Sequence, residues 1–159
     1  PEKAVYGYAV SHYAAWRAEF PALAGRFGPG SVGENLAIDG MDERDICVGD
    51  VHAMGTALLQ VCQPRQPCFK LALRFDNNRL PKAMVKSGRS GWYYRVLQEG
   101  VISAADAVTL HERPNPDFPF TRLVSLIYQG HVTRDDLERM AVMPGLASQW
   151  RDKARQSLG

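Results

Sequence analysis

The apolar and polar positions of the first hundred or so residues fall into short runs, most of them closed by a turn signal. Residues 4–10 (Ala-Val-Tyr-Gly-Tyr-Ala-Val) make an apolar run of strand length. From Ser11 the period lengthens. Tyr13, Trp16 and Phe20 share one face of a helix that Ser11 is placed to cap, and Pro21 interrupts it. Residues 27–33 (Phe-Gly-Pro-Gly-Ser-Val-Gly) read as a glycine-rich loop. A short strand is predicted over 34–38, a polar turn over 42–45, and then comes the apolar triplet Ile46-Cys47-Val48. Further strands are predicted over 51–54, 57–62, 91–97 and 107–111, with helices over 69–75 and 80–87. Short strands parted by glycine turns predict a β-barrel or sandwich with helices between strands, a mixed β-rich α+β fold.

The pattern changes after residue 113. Pro114, Pro116 and Pro119 make a semi-rigid connector over 114–119, and the residues beyond it read as helical. Leu123, Leu126 and Ile127 lie on one face of a helix over 121–129 that Gly130 stops. Thr133 is placed to cap the next helix, with Asp135 and Asp136 in its first turn and Leu137, Met140 and Ala141 as its apolar stripe. A third helix is predicted over 146–156. Short amphipathic helices of this kind need a packing partner. The expected organisation is therefore a β-rich domain over 1–113, the connector, and a small three-helix domain over 120–159.

Composition alters this picture little. At 159 residues, 45% hydrophobic and 23% charged, the chain suits one ordinary globular domain with an appendage. A net charge of +2 is too mild to call for nucleic acid or an anionic membrane as partner. Three cysteines do not make a disulfide framework, and a reducing, cytoplasmic setting is expected. The chain opens on Pro1 rather than Met and is almost at once in a strand, so it reads as lacking residues before Pro1.

Candidate chemistry centres on Cys68, in Gln63-Pro64-Arg65-Gln66-Pro67-Cys68-Phe69-Lys70-Leu71. Pro67 suits the first helical position, which would put Cys68 in the first turn, where free N–H groups and the neighbouring Arg65 and Lys70 favour a thiolate. Soft thiolates suit soft metals. A small, half-buried apolar residue is the competing reading of the same thiol. Cys62 and Cys68 lack the spacing of a structural zinc site, and Cys47 is expected in the core. The glycine-rich loop is neither a P-loop nor a dinucleotide fingerprint; Asn35 after it could offer an amide to a ligand or cap a turn. Lys82, Lys86 and Arg89, near Gly88, Gly91 and Trp92, could hold a phosphorylated planar ligand or form a solvated face. His12, His52, His111 and His131 show no spacing that suggests ligation or a triad.

Four segments occur in order: Gly33-Glu34-Asn35-Leu36, Val48-Gly49-Asp50, the Pro64-Arg65-x-Pro67-Cys68 run, and Gly88-x-x-Gly91-Trp92-Tyr93-x-Arg95. Together they resemble the MOSC domain family and, within it, the YiiM type, whose small three-helix domain the tail after Pro119 resembles. The resemblance implies a MOSC-type β-barrel that binds the molybdenum cofactor (molybdopterin). Cys68 matches the cysteine that ligates molybdenum, so it is the implied catalytic and metal residue. Arg65, Asn35 and Lys3 match positions that approach the cofactor. A His-Gly-Gly segment and the family's first strands are expected before Pro1. The implied activity is reduction of N-hydroxylated compounds such as hydroxylamino-purines, with a separate flavoprotein or iron–sulfur protein as electron donor. Pyridoxal phosphate binding is a further family-level implication. The alternatives are a non-catalytic sulfur carrier or cofactor-binding module using Cys68, and a purely structural domain in which that thiol is inert.

Overall fold

A computed structural model describes all of residues 1–159. Six strands form one curled half-barrel sheet in the order β2-β1-β5-β4-β3-β6. They are β1 (Val5–Ala9), β2 (Leu36–Ile38), β3 (Val51–Met54), β4 (Ala57–Pro64), β5 (Trp92–Gln98) and β6 (Val108–Glu112). The helices are α1 (Ser11–Glu19), α2 (Phe69–Phe75), α3 (Leu80–Ser87), α4 (Phe120–Gln129), α5 (Arg134–Ala141) and α6 (Ser148–Leu158). β1 pairs parallel with β2, which α1 and a 3₁₀ turn at Pro21–Arg26 connect to it; all other pairings are antiparallel.

The sheet is covered on both sides, which is why β1 reads as a continuous apolar run rather than an alternation. Tyr6 and Tyr8 enter an aromatic core with Trp16, Phe20, Phe27, Leu71, Phe75 and Met84 of the α1–α3 side. Gly7, between them, backs onto the other core. A Cβ there would come within 3.1 Å of both Trp92 Nε1 and Tyr94 Cε2, so a side chain at this position would make the two rings give by a few tenths of an ångström. This second core is the larger. It joins Leu59, Val61, Trp92 and Tyr94 of the sheet to Leu123, Met140, Leu146 and Trp150 of the last three helices and the turn before α6. The connector between them is laced to the sheet side: Asn115 donates to the carbonyls of Val48 and Pro144, and Phe120 N–H to that of Ile46.

Local expectations hold for the element types and shift at their ends. Thr133 caps α5 through a reciprocal capping box with Asp136. Ser11 is not a cap. Val10 takes that place in helical conformation, because its N–H is still bonded to Ile38 O while its carbonyl already accepts from Tyr13. Residues 34 and 35 lie outside β2, and Ile46-Cys47-Val48 forms only an isolated bridge, Cys47 to Pro119. The third tail helix starts at Ser148, two residues later than its pattern suggests, and ends at Leu158. No helix is long and apolar enough to cross a membrane.

Candidate functional site

Cys68 is exposed, at the point where the chain leaves β4 for α2. Its backbone is extended (φ −129°, ψ 178°) and α2 begins at Phe69, so Cys68 is the N-cap and Pro67 lies outside the helix. This corrects the expectation that the thiol sits in the first helical turn. Its sulfur makes no capping bond to the free N–H groups there. The reason is tertiary. The Tyr128 hydroxyl of α4 donates to the Arg65 carbonyl, and the Arg65 guanidinium donates to the Val32 carbonyl. These bonds anchor the chain just ahead of Cys68.

The other cysteines are of a different kind. Cys62, on β4, is fully buried within reach of the carbonyls of Glu2 (3.1 Å) and Tyr93 (3.3 Å), and burial pushes its thiol up to about 12. Cys47 is buried in the core as expected, and burial raises its thiol too. Only Cys68 presents sulfur to solvent.

Of the three other expected residues, Arg65 comes within electrostatic reach of it and Lys3 joins through the ring of Tyr93. The Arg65 guanidinium lies 5.2 Å from the centre of the Tyr6 ring, and Tyr6 and Tyr93 pack with ring centres 5.0 Å apart. The Lys3 ammonium stands 5.9 Å from the centre of the Tyr93 ring. Cys68 is within electrostatic reach of Arg65 and of Tyr93. Burial works against the Arg65 charge, but the neighbouring Tyr6, Tyr93 and Cys68 outweigh it and hold the guanidinium more firmly charged. Lys3 is positioned through its neighbour. Glu2 accepts from the Ser148 N–H and hydroxyl (3.0 and 2.9 Å) and from Arg95 (2.8 Å), which ties the first residues to α6 and β5.

Asn35 stands differently. Its side-chain oxygen accepts from the Tyr6 N–H (2.7 Å), and its own N–H donates to Tyr6 O (2.9 Å). Its carbonyl end is therefore committed to extending the β1–β2 pairing, and only its amide NH₂ is left for a ligand. The basic residues read from the sequence lie farther along. Lys82 and Lys86 share a cleft of about 410 Å³ with Pro67. Arg89 is paired with Glu19 (2.7 Å). A neighbouring cleft of about 540 Å³ holds the buried pair His12–Glu43, 2.6 Å apart, with Tyr128 in its wall. Glu43 also accepts from the Gly91 N–H (2.8 Å). Tyr6, Tyr128 and His12 had no local signal, because each matters only through partners 29 or more positions away.

An exposed soft sulfur beside two cations and an aromatic pair suits an anionic ligand that carries its own metal. No group of three or more His, Cys, Asp or Glu is placed to hold a metal unaided. The family profile of the MOSC domain matches residues 1–109. The chain belongs to the MOSC domain family. This MOSC chain is 38% identical over 144 residues to a protein named "Reductase" from Gibberella moniliformis, covering 90% of this chain and 26% of that protein. It is 34% identical over 150 residues to protein YiiM of Escherichia coli, covering 94% of this chain and 66% of that one. The crystal structure of YiiM from Geobacillus stearothermophilus superposes with a TM-score of 0.90 at 36% identity, over 99% of this chain and 80% of that one. The MOSC chain thus spans about a quarter and just under two thirds of the two curated relatives.

Proposed function

We propose that this chain is the cofactor-binding part of a molybdenum-dependent reductase of N-hydroxylated compounds. The observation that carries the reading is the setting of Cys68, an exposed thiol with the cations Arg65 and Lys3 nearby, both held against the tyrosine pair. Membership of the MOSC family and a relative named "Reductase" agree with it. In this reading Cys68 supplies the one protein ligand to the metal, a soft donor for a metal otherwise held by the cofactor's own atoms. Arg65 and Lys3 neutralise the cofactor's negative charge, and the free amide of Asn35 adds a donor at the loop before β2. When bound, the cofactor supplies the two-electron reducing centre at which an N–O bond is cleaved. The chain's part is to orient that group and to keep it open to solvent, protons and substrate. Tyr6 is buried, and only the half-buried Tyr93 leaves part of a ring open to a planar, nitrogen-rich group.

The test is metal content. Full-length protein made with intact cofactor synthesis is expected to carry molybdenum, and Cys68→Ala to lose most of it. Equal metal in both removes Cys68 as ligand. The same exposed sulfur also suits a persulfide carrier. A sulfur-sized mass adduct on Cys68, without turnover in metal-loaded protein, decides for that second reading.

A further inference from the structure

The outer face of α2 is apolar at its centre and basic at its rim. Phe69 and Leu73, one helical turn apart, are 69% and 72% exposed, directly after Cys68. The opposite face of this helix buries Leu71 and Phe75 in the aromatic core, so Phe69 and Leu73 are not needed to hold α2 in place. Large side chains left this exposed, as neighbours beside a candidate site, mark a surface that meets something.

Charge says what kind of thing. Residues 65–89 hold seven cations and one acid, a net of +6, so the rest of a chain with net charge +2 carries −4. Most of those cations are unspent. Lys70 and Arg74 flank Phe69 and Leu73, while Lys82 and Lys86 stand across the cleft from Pro67; all four are exposed. None of them is in an ion pair. The arrangement is that of a protein–protein contact, with an apolar centre and a charged border that steers one sign of partner. A second copy of the chain is disfavoured. Two-fold contact would set this basic border against itself.

The geometry points to the α2 face, centred on Phe69 and Leu73, as the docking surface for an acidic electron-carrier protein. This rests on the reductase reading above and names where its electrons enter. Reduction of R–NHOH to R–NH₂ and water consumes two electrons and two protons. The electrons come from the docked carrier, two from one fully reduced flavin or one from each of two reduced 2Fe–2S proteins in turn; each carrier leaves oxidised, and the protons come from solvent. A carrier on this face sits within a turn of helix of Cys68, a short path for electron transfer.

The probes are two acidic carriers, a flavodoxin-type FMN protein and a ferredoxin-type 2Fe–2S protein, titrated against full-length, cofactor-loaded protein. At least one is expected to bind. The combined change Phe69→Ser and Leu73→Ser is expected to weaken that binding, and to raise the KM for the carrier, by about tenfold or more. Arg74→Glu is expected to weaken that binding as well and to flatten the salt dependence. Molybdenum content and turnover with dithionite should stay at wild-type levels. Three results overturn the proposal: unchanged carrier binding, a parallel loss of dithionite turnover, which would make the face part of the substrate pocket, or tighter binding of a single-stranded oligonucleotide than of either carrier. If the wild type holds no molybdenum, the reductase reading fails by itself, and the binding titration still decides the docking face.

Discussion

Two polar clusters lie on one sheet and differ in how fully their groups are satisfied. One is sealed. Asp50 and His52, at the start of β3, are buried with Tyr94 of β5. Arg113 reaches Asp50 with two nitrogens (2.9 and 2.8 Å), and the Cys47 N–H donates to it (2.9 Å). His52 Nδ1 is 2.7 Å from the Tyr94 hydroxyl, and its Nε2 is 3.9 Å from Asp50. His52 Nδ1 and the Tyr94 hydroxyl satisfy each other, and the other ring nitrogen faces the carboxylate without bonding to it. The other cluster is Cys68, Arg65, Lys3 and the tyrosine pair. There an exposed thiol, the Lys3 ammonium and part of a guanidinium have no partner in the fold. Satisfied and buried groups hold a structure together, whereas exposed and unspent ones are free to hold something else.

The sharpest way to break the comparison is to spoil the sealed cluster. Asp50→Asn sets an NH₂ among the donors that the buried carboxylate accepts from, Arg113 and the Cys47 N–H, and is expected to cost about 3 kcal/mol of stability, read as the urea midpoint. The same residue sets a pH dependence. Burial pushes the Asp50 carboxyl up, but the nearby His52 ring and the bonds from Arg113 and the Cys47 N–H outweigh it and hold it at about 2. Its folded value is thus below the unfolded one. Its contribution, about 2 kcal/mol, is present above about pH 4 and lost as pH falls toward 2. The acid limb of the wild-type stability curve should be steeper than that of Asp50→Asn. Identical limbs would show that Asp50 is not what is titrating.

Next comes the backbone under the site. Gly91 has φ +66°, and a Cβ there would lie 2.6 Å from Gly7 O and 2.6 Å from the Tyr6 ring. Gly91→Ala is expected to cost about 2 to 3 kcal/mol and to disturb the Tyr6–Tyr93 pair, read by melting and by near-ultraviolet dichroism. Arg65→Lys is milder. It loses the planar fork over Tyr6 and shortens the reach to Val32, for about 1 kcal/mol of stability, yet it should lower cofactor retention. The smallest effect on stability belongs to the exposed thiol. Cys68→Ala should stay within about 0.5 kcal/mol of wild type in the same denaturation assay. Its thiol should also alkylate at neutral pH at least about a hundredfold faster than Cys62. A large stability loss in Cys68→Ala would place the residue with the sealed cluster after all.

These differences were only partly legible along the chain. Helices and strands were, because periodicity reports which side of an element meets apolar neighbours, whatever those neighbours are. So were Thr133 as a cap and Cys47 as a core residue, since each depends on contacts a few positions away or on plain hydrophobicity. Cys68, Arg65 and Lys3 could be marked as candidates. The reason they meet could not, because Lys3 is placed by bonds from Glu2 to Ser148 and Arg95, and Arg65 by Val32 and Tyr128. Asn35 shows the reverse case, a residue marked for a ligand whose carbonyl oxygen is already held by the Tyr6 N–H.

The sequence by itself determined the element types, the apolar, strand-length run that becomes β1 and the presence of a cysteine between strand and helix. Those come from side-chain polarity, period and turn chemistry, all of which act over a few residues. The tertiary structure decided that one thiol of three is open to solvent, that it stands at the N-cap of α2 instead of in its first turn, and that Arg65 and Tyr93 are within electrostatic reach of it, with Tyr6 and Lys3 packed on those two. Such outcomes depend on bonds between segments 33 to 146 positions apart, and no local pattern encodes which of the possible long-range partners will be in reach.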